Sequence, residues 1–148
     1  MRVFSFSNLV TLINGVELSN FAEGDDVITI MRRNDSASDS VGADGKMMVS
    51  ISSDKSGELT FKLQQTSPSN KFLTGLIALQ ENGADTFIPV NVLVQDTFRK
   101  DLATGTVGYI KKLPDVQRGH VAGVQEWTIV TERLDLIFGN VLTAGILG

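Results

Sequence analysis

The sequence predicts a mainly β fold with one amphipathic helix and one long polar arm. Apolar and polar residues alternate along most of the chain, a single segment has apolar residues at helical spacing, and the polar segment 32–46 has neither period. With 148 residues, of which 42% are hydrophobic, the chain can bury a substantial core. We therefore expect residues 1–148 to form a single domain.

The strands are predicted from their period of two. Asn14 and Gly15 separate two short apolar runs, and this dipeptide predicts a tight hairpin because both residues tolerate a positive φ. The other predicted strands cover residues 27–31, 47–52, 59–64, 88–94, 106–112 and 124–131. Two of them have an apolar face that we expect in the core, formed by Met47, Val49, Ile51, Leu59, Phe61 and Leu63. Trp127 lies mid-strand and is expected in the core or at an interface.

The helix is predicted over residues 67–82 from its start signal, its stop signal and its period. Ser67 can cap the first turn, Pro68 suits the first helical position, and Gly83 follows the last turn. Between them, apolar residues recur at helical spacing, so one side of the helix is expected to cover a face or an end of the sheet.

Two segments are unusual for a small domain. The arm, residues 32–46, lies between predicted strands, so we expect a long arm that projects from a hairpin. It is either a solvated loop or a projection that contacts another molecule. The C-terminal strip, residues 134–148, is apolar, whereas chain ends are normally polar. It either folds back onto the core or binds a neighbouring subunit.

The composition offers little for catalysis or for tight binding of nucleic acid. The chain has no cysteine, a single histidine at position 120, and a formal net charge of −4. Thiol nucleophiles and thiolate metal sites are therefore excluded, and a net negative charge disfavours binding to phosphates. The acidic pairs and triplets, such as Asp25-Asp26, lack the ligand spacing of a calcium loop. We expect no enzyme activity, no metal and no cofactor. Neither a signal peptide nor a membrane-spanning run is recognisable.

Two groups of short motifs give a more specific indication. The first consists of VGADG at 41–45, SGELTFKL at 56–63 and TSPSN at 66–70, and the second of KKLPDV at 111–116 followed by EWT at 126–128. In this order, and with the short aromatic N-terminus, the chain resembles the tail tube proteins of tailed bacteriophages and related prophages. It is also similar to the tube-forming hemolysin-coregulated protein of type VI secretion.

The resemblance implies a β-sandwich or half-barrel subunit with one flanking helix. Six subunits would close into a ring whose inner sheets form a continuous β-barrel, and stacked rings would form the conduit for phage DNA during ejection. The implied partners are other copies of the chain and, in the tail, sheath, tape-measure, baseplate and tail-terminator proteins. DNA would pass through the lumen without tight binding. The implied location is the virion tail, assembled in the cytoplasm of the bacterial host.

Within this architecture the sequence offers two sets of candidate residues. Contacts within and between rings are expected from the arm first, then the C-terminal strip, then the aromatic N-terminus: Arg32, Arg33, Asp35, Asp39, Val41, Asp44, Lys46, Ile137, Phe138, Leu142, Ile146, Phe4 and Phe6. The lumen is expected to be lined by polar strand positions: Ser50, Ser52, Glu58, Thr60, Lys62 and Gln64. Of these, Lys62 would need a nearby carboxylate such as that of Glu58.

Other classes of protein remain open at the level of sequence. A capsid decoration protein or a tail terminator would also be small, acidic and β-rich, but would form a closed oligomer. A small β-barrel that binds a ligand would remain monomeric. An enzyme is the most distant alternative.

Overall fold

The computed structural model describes residues 9–22, 27–97, 101–116 and 123–138. Within them the chain is mainly β, with one helix after the sixth strand. The elements are β1 (Leu9–Ile13), β2 (Val16–Glu17), β3 (Ile28–Arg32), β4 (Ala37–Val41), β5 (Met47–Ile51), β6 (Gly57–Gln64), α1 (Ser69–Asn82), β7 (Val90–Asp96), β8 (Asp101–Ile110) and β9 (Val124–Ile137).

Seven strands form one antiparallel sheet in the order β2-β1-β7-β8-β9-β6-β3, whereas β4 and β5 pair only with each other. The long strand β9 joins the two halves of the large sheet. Its first part, up to Thr131, pairs with β6, and its later part, from Ile129, pairs with β8. Beyond Thr131, the edge of β9 that faces β6 is therefore not paired with β6, and its backbone groups can bind the arm.

The sheet bends where β9 changes partner. Gly57 begins β6 there, and a Cβ atom at this position would lie 2.3 Å from Cδ2 of Leu134, so only glycine fits. On β8, the register shifts between the pairs Val90/Gly108 and Val92/Gly105, which leaves Val107 as the extra residue of a bulge. Val107 has φ of 54°, and its N–H donates to Oδ1 of Asn91 at 3.0 Å. Bulges of this kind bend and twist a sheet.

The sheet curls because the chain crosses from one edge to the other after β2. The N–H of Ala22 donates to the carbonyl of Lys62, and the N–H of Gln64 donates to the carbonyl of Asn20. Residues 18–22 thus leave the β2 edge and reach β6. The result is the half-barrel that the family resemblance implied.

Helix α1 closes one end of this half-barrel. Leu73 and Ile77 are buried in the core. Asn70 accepts a hydrogen bond from Nε1 of Trp127 at 2.9 Å, and the Gln80 amide exchanges two hydrogen bonds with the backbone of Ile110, at 2.8 and 3.0 Å. Both ends of the helix are therefore tied to the sheet.

Of the two apolar strand faces that were predicted to lie in the core, that of β6 is buried and that of β5 is exposed. Leu59, Phe61 and Leu63 are fully buried, as is Trp127, which the sequence left between core and interface. The turn prediction at Asn14 and Gly15 is correct, since both residues have positive φ. The helix begins at Ser69, and the hydroxyl of Ser67 accepts from the N–H of Ser69, as expected of a cap. The same hydroxyl donates to the carbonyl of Ser19. The first part of the C-terminal strip continues β9, with Leu134 buried.

Candidate functional site

One surface of the sheet carries a band of polar side chains across β3, β6, β9 and the end of β8. Thr29, Thr60 and Thr128 lie in one row of the register, and the hydroxyls of Thr60 and Thr128 are 3.4 Å apart. The row is extended by Lys111, whose N–H donates to the carbonyl of Thr128. We call this band, with its neighbouring rows, the polar face. It contains four of the six predicted lumen positions: Glu58, Thr60, Lys62 and Gln64.

On the polar face, lysines and carboxylates lie near each other on neighbouring strands. Nζ of Lys111 lies 3.6 Å from Oε1 of Glu58, and Lys62 lies directly across from Glu126 in the register of β6 and β9. The expectation that Glu58 would balance Lys62 is therefore wrong. Residues four apart on one strand are about 13 Å apart along the backbone, whereas register partners are neighbours.

The remaining predicted lumen positions, Ser50 and Ser52, do not lie on this face. Ser50 belongs to β5, and Ser52 follows that strand, so both belong to the hairpin formed by β4 and β5. The sequence could not separate them from the β6 residues, because an alternating pattern does not reveal which sheet a strand joins.

The predicted hairpin arm is confirmed, but most of the loop predicted over residues 32–46 belongs to the hairpin itself, because β4 lies within it and pairs with β5. Its two strands pair from Ala37 opposite Ile51 to Val41 opposite Met47. A tight turn joins them, in which a carboxylate oxygen of Asp44 accepts from the N–H of Lys46 at 3.1 Å. Gly45 supplies the positive φ that the turn requires. We extend the name arm to residues 32–56, from the last residue of β3 to the residue before β6. The polar strand 37–41 escaped prediction because its residues, Ala-Ser-Asp-Ser-Val, have low β propensity.

The two faces of the arm differ in chemistry. Alternation places Val41, Met47, Val49 and Ile51 on one face, together with Ala37 and Asp39, and the three serines Ser38, Ser40 and Ser50 with Met48 on the other. Every residue of both strands is exposed, and Ile51 is exposed to 84%. The prediction that Met47, Val49 and Ile51 lie in the core is wrong, since nothing in the described chain covers them.

The root of the arm is held by a network of polar contacts. The N–H of Ser52 donates to the carbonyl of Ser36 at 2.8 Å, and the N–H of Arg33 donates to the carbonyl of Ser56 at 3.1 Å. Asp54 bridges the two limbs, since it accepts from the N–H of Ser56 and from the side chain of Asn34. These hydrogen bonds, those from Ser56 first, hold the pKa of the Asp54 carboxyl below its ordinary value.

The end of the half-barrel opposite to the helix has an open apolar cavity of about 310 Å³. Val94 and Leu136 line it, and the buried carboxyl-bearing residue Asp96 lies at its rim across from Asp101. Ile137 and Phe138, predicted contact residues of the C-terminal strip, also line this cavity, and Phe138 is 71% exposed.

The other predicted contact residues fall into three groups. Arg33, Asp35, Asp39, Val41, Asp44 and Lys46 are exposed on the arm. Phe4, Phe6, Leu142 and Ile146 lie outside the described residues, as does His120. Arg32 is different, because its guanidinium is engaged within the chain by β9.

The described residues show few features of a chemical site. They contain no group of three acidic or histidine side chains placed to hold a metal ion. Among these residues there is also no helix long and apolar enough to cross a membrane. What the surface offers instead is an exposed hairpin with one apolar face, a polar sheet face and an apolar opening.

This fold is shared with proteins that build and terminate tubes. The chain is similar to the tube terminating cap of the anti-feeding prophage, with a TM-score of 0.65, 9% identity and 93% of each chain covered. It is also similar to a chain of the sheath–tube complex of the extracellular contractile injection system PVC, in the extended state, with a TM-score of 0.62, 10% identity and 92% of each chain covered. The sheath/tube terminator of that system gives a TM-score of 0.63 at 11% identity, with 93% of this chain and 98% of the other covered.

Comparison of the sequence with protein families identifies the family of the chain. Comparison with curated proteins yields no match. The family described as "Bacteriophage PhiTE tail tube protein", however, matches residues 1–139. The chain belongs to this family of structural tail tube proteins and is a component of the phage virion tail.

Proposed function

We propose that the chain is a tube subunit that closes into six-membered rings, and that these rings stack into the conduit for DNA ejection. The observation that carries this proposal, beyond family membership, is the arm. A two-stranded hairpin is marginally stable on its own, and this one presents a row of apolar side chains with no cover. The natural cover is another copy of the chain, because a head-to-tail contact between copies propagates along an axis.

Contacts between subunits are assigned to the arm and to the apolar opening. On the arm, Val41 lies beside the apolar residues of β5, while Asp39, Asp44 and Lys46 provide charges that can fix the register. At the opening, Ile137 and Phe138 provide a second apolar contact. The N-terminal Phe4 and Phe6 and the C-terminal Leu142 and Ile146 remain further candidates.

The polar face is assigned to the lumen. A conduit for a polyanion works best when its wall does not hold phosphates, because each unpaired cation would be repeated in every subunit. On this face Lys111 forms an ion pair with Glu58, and Lys62 lies opposite Glu126 in the register of β6 and β9. Thr60 and Gln64 add neutral polar groups between them. The wall is thereby polar without an excess of positive charge.

The tube itself would associate with a sheath, a tape-measure protein, a baseplate and a terminator, and the virion tail would be assembled in the host cytoplasm. A terminator that caps the tube is the second candidate function for the chain. It is favoured by a specific observation, since two of the similar structures are a tube terminating cap and a sheath/tube terminator. A terminator forms a closed ring and does not grow.

Two substitutions of adjacent arm residues test the proposal. Val49→Glu places a charge on the apolar face of the arm, whereas Ser50→Glu places the same charge on the opposite face. Burial of an unpaired carboxylate at a contact is costly, so we expect Val49→Glu to abolish filaments while leaving a folded subunit. Ser50→Glu is the matched control and should still form filaments.

Pelleting by ultracentrifugation, followed by electron microscopy of the pellet, measures the outcome. Far-ultraviolet circular dichroism checks that both variants are folded. If Val49→Glu forms filaments as readily as Ser50→Glu, the apolar face of the arm is not a subunit contact, and the proposal loses its main support.

A further inference from the structure

The two limbs of the arm converge on a short segment of β9. Arg32, the last residue of β3, donates from Nε to the carbonyl of Leu134 at 2.9 Å. On the other limb, the carbonyl of Lys55 accepts from the N–H of Leu134 at 2.7 Å. Both backbone groups of one residue are thus used by the arm. They are available because β6 begins only at Gly57, opposite Thr131, so β9 has no strand partner on this side at Leu134.

The point of attachment is rigid. The side chain of Leu134 is fully buried, and its Cδ2 atom occupies the space that a Cβ atom of Gly57 would need. Close packing on both sides leaves the backbone at Leu134 little freedom to move. A contact to this carbonyl therefore fixes the limb of the arm relative to the core.

A carboxylate completes the attachment. Oδ1 of Asp135 lies 3.5 Å from Nη2 of Arg32, while its Oδ2 accepts from Nε of Arg133 at 2.8 Å. A planar guanidinium can bind a carbonyl and a carboxylate at once, which a lysine ammonium on a flexible stem cannot do with the same geometry. This second arginine, Arg133, orients the carboxylate. The three groups Arg32, Leu134 and Asp135 are called the brace.

We propose that the brace sets the direction in which the arm leaves the sheet, and that Arg32 and Asp135 are positioning residues for assembly. The strands of the arm beyond the root are fully exposed in the described chain, so their direction depends on the root. A subunit whose arm already points toward its contact loses less conformational freedom on assembly. The inference rests on the proposed function, in which the arm contacts another copy.

The direction of the arm can be measured in the free subunit. Because the chain has no cysteine, Ser40→Cys on the arm and Lys71→Cys on α1 provide two unique sites for spin labels. Pulsed electron resonance between the labels should give a narrow distance distribution. In this labelled background, Arg32→Lys and Asp135→Asn should each broaden it. Amide exchange at Leu134 reports the other limb, because this N–H donates to the carbonyl of Lys55. Arg32→Lys should speed this exchange about tenfold if release of the first limb makes opening of the second easier by about the contribution of one hydrogen bond.

The matched control removes a charged contact of similar length that does not reach the arm. Asp115→Asn removes the ion pair of Lys112, which is 3.6 Å long and lies on an exposed loop. This control should keep the narrow distribution and the slow exchange at Leu134.

Assembly provides the functional readout. Without the labels, Arg32→Lys and Asp135→Asn should form filaments only at several-fold higher subunit concentration than Asp115→Asn, with an unchanged melting temperature. The inference is overturned if the distance distribution stays narrow in both brace variants, or if it broadens without any change in assembly. An equal loss in melting temperature and in core amide exchange would also overturn it, since the contact would then stabilise the fold in general. If the wild-type chain forms no filaments, the proposed function fails, while the distance measurement still tests the brace.

Discussion

Single residues connect the core of this protein to its surface. Leu134 is the clearest case, since its side chain fills the space beside Gly57 while its backbone holds the root of the arm. The absence of a side chain at position 57 is therefore as important as the presence of one at position 134. Neither role is visible in the sequence, because the two residues are brought together only by the register of β6 and β9.

This close packing gives a prediction about Gly57. Gly57→Ala forces Leu134 to shift, and overpacking of this kind costs about 1–3 kcal/mol in the free energy of unfolding. Gly75→Ala is the matched control, because a Cβ atom there has no neighbour within 4 Å and the helix gains about 0.5–1 kcal/mol when glycine is replaced by alanine. Urea unfolding of both variants measures the difference. A Gly57→Ala variant as stable as the wild type would contradict this packing.

The pKa of Asp54 gives a prediction about pH. Hydrogen bonds from Ser56 and Asn34 hold the pKa of this carboxyl below its ordinary value of about 3.9 in the folded arm. The ionised form therefore stabilises the root of the arm above that value, and the stabilisation is lost as the pH falls through the lower, folded pKa. Amide exchange at Ser56, followed by nuclear magnetic resonance between pH 5 and pH 2, should speed up in this window after correction for intrinsic rates.

Asp54→Asn is the control for this effect. It removes the titrating group, so exchange at Ser56 should be faster at pH 5 and should lack the acid-dependent step. A carboxyl that titrates at or above its ordinary pKa in the wild type would show that the bridge between the two limbs is not formed in solution.

At the scale of elements, alternation predicts strands better than it predicts their surroundings. Leu59, Phe61 and Leu63 and the residues Met47, Val49 and Ile51 have the same pattern, yet the first three are buried and the last three are exposed. The pattern requires cover for an apolar face, but it does not say whether the chain or another molecule supplies it. The strand of Ser38 and Ser40 was missed for the opposite reason, since it has no apolar period to detect.

The polar face illustrates what register adds. The sequence placed Glu58, Thr60, Lys62 and Gln64 on one face, and they do share it. Glu58 was the expected partner of Lys62, but the register places Glu126 opposite Lys62, and Lys111 lies beside Glu58. The members of each observed pair are more than 45 positions apart in the sequence. A single sequence carries no direct record of such pairs.

The assignment of the polar face to the lumen predicts a pattern of accessibility. Lys62→Cys introduces a unique thiol on this face. In filaments it should react with a small maleimide, which enters the lumen, but not with a maleimide linked to a large dextran. In free subunits it should react with both. Reaction with the large reagent in filaments would place the polar face on the outside, and protection from both reagents would place it between subunits.

At the scale of the whole molecule, the resemblance in ordered motifs led to the same family that matches residues 1–139, and the implied half-barrel with a flanking helix is the observed fold. The structure of a single subunit does not show how subunits assemble. Its exposed arm, its open apolar end and its polar face all lie on the surface. The proposed assembly would cover the first two and place the third in the lumen. Many weak contacts repeated around and along a tube can hold it together where a single contact would not.

Electron microscopy of the purified wild-type chain across a series of concentrations tests whether the chain grows into a tube. We expect hollow filaments or stacks of six-fold rings that lengthen as the subunit concentration rises. Discrete closed rings that never stack would contradict growth into a tube and would favour a terminator. A subunit that remains monomeric at every concentration would contradict self-assembly through the arm.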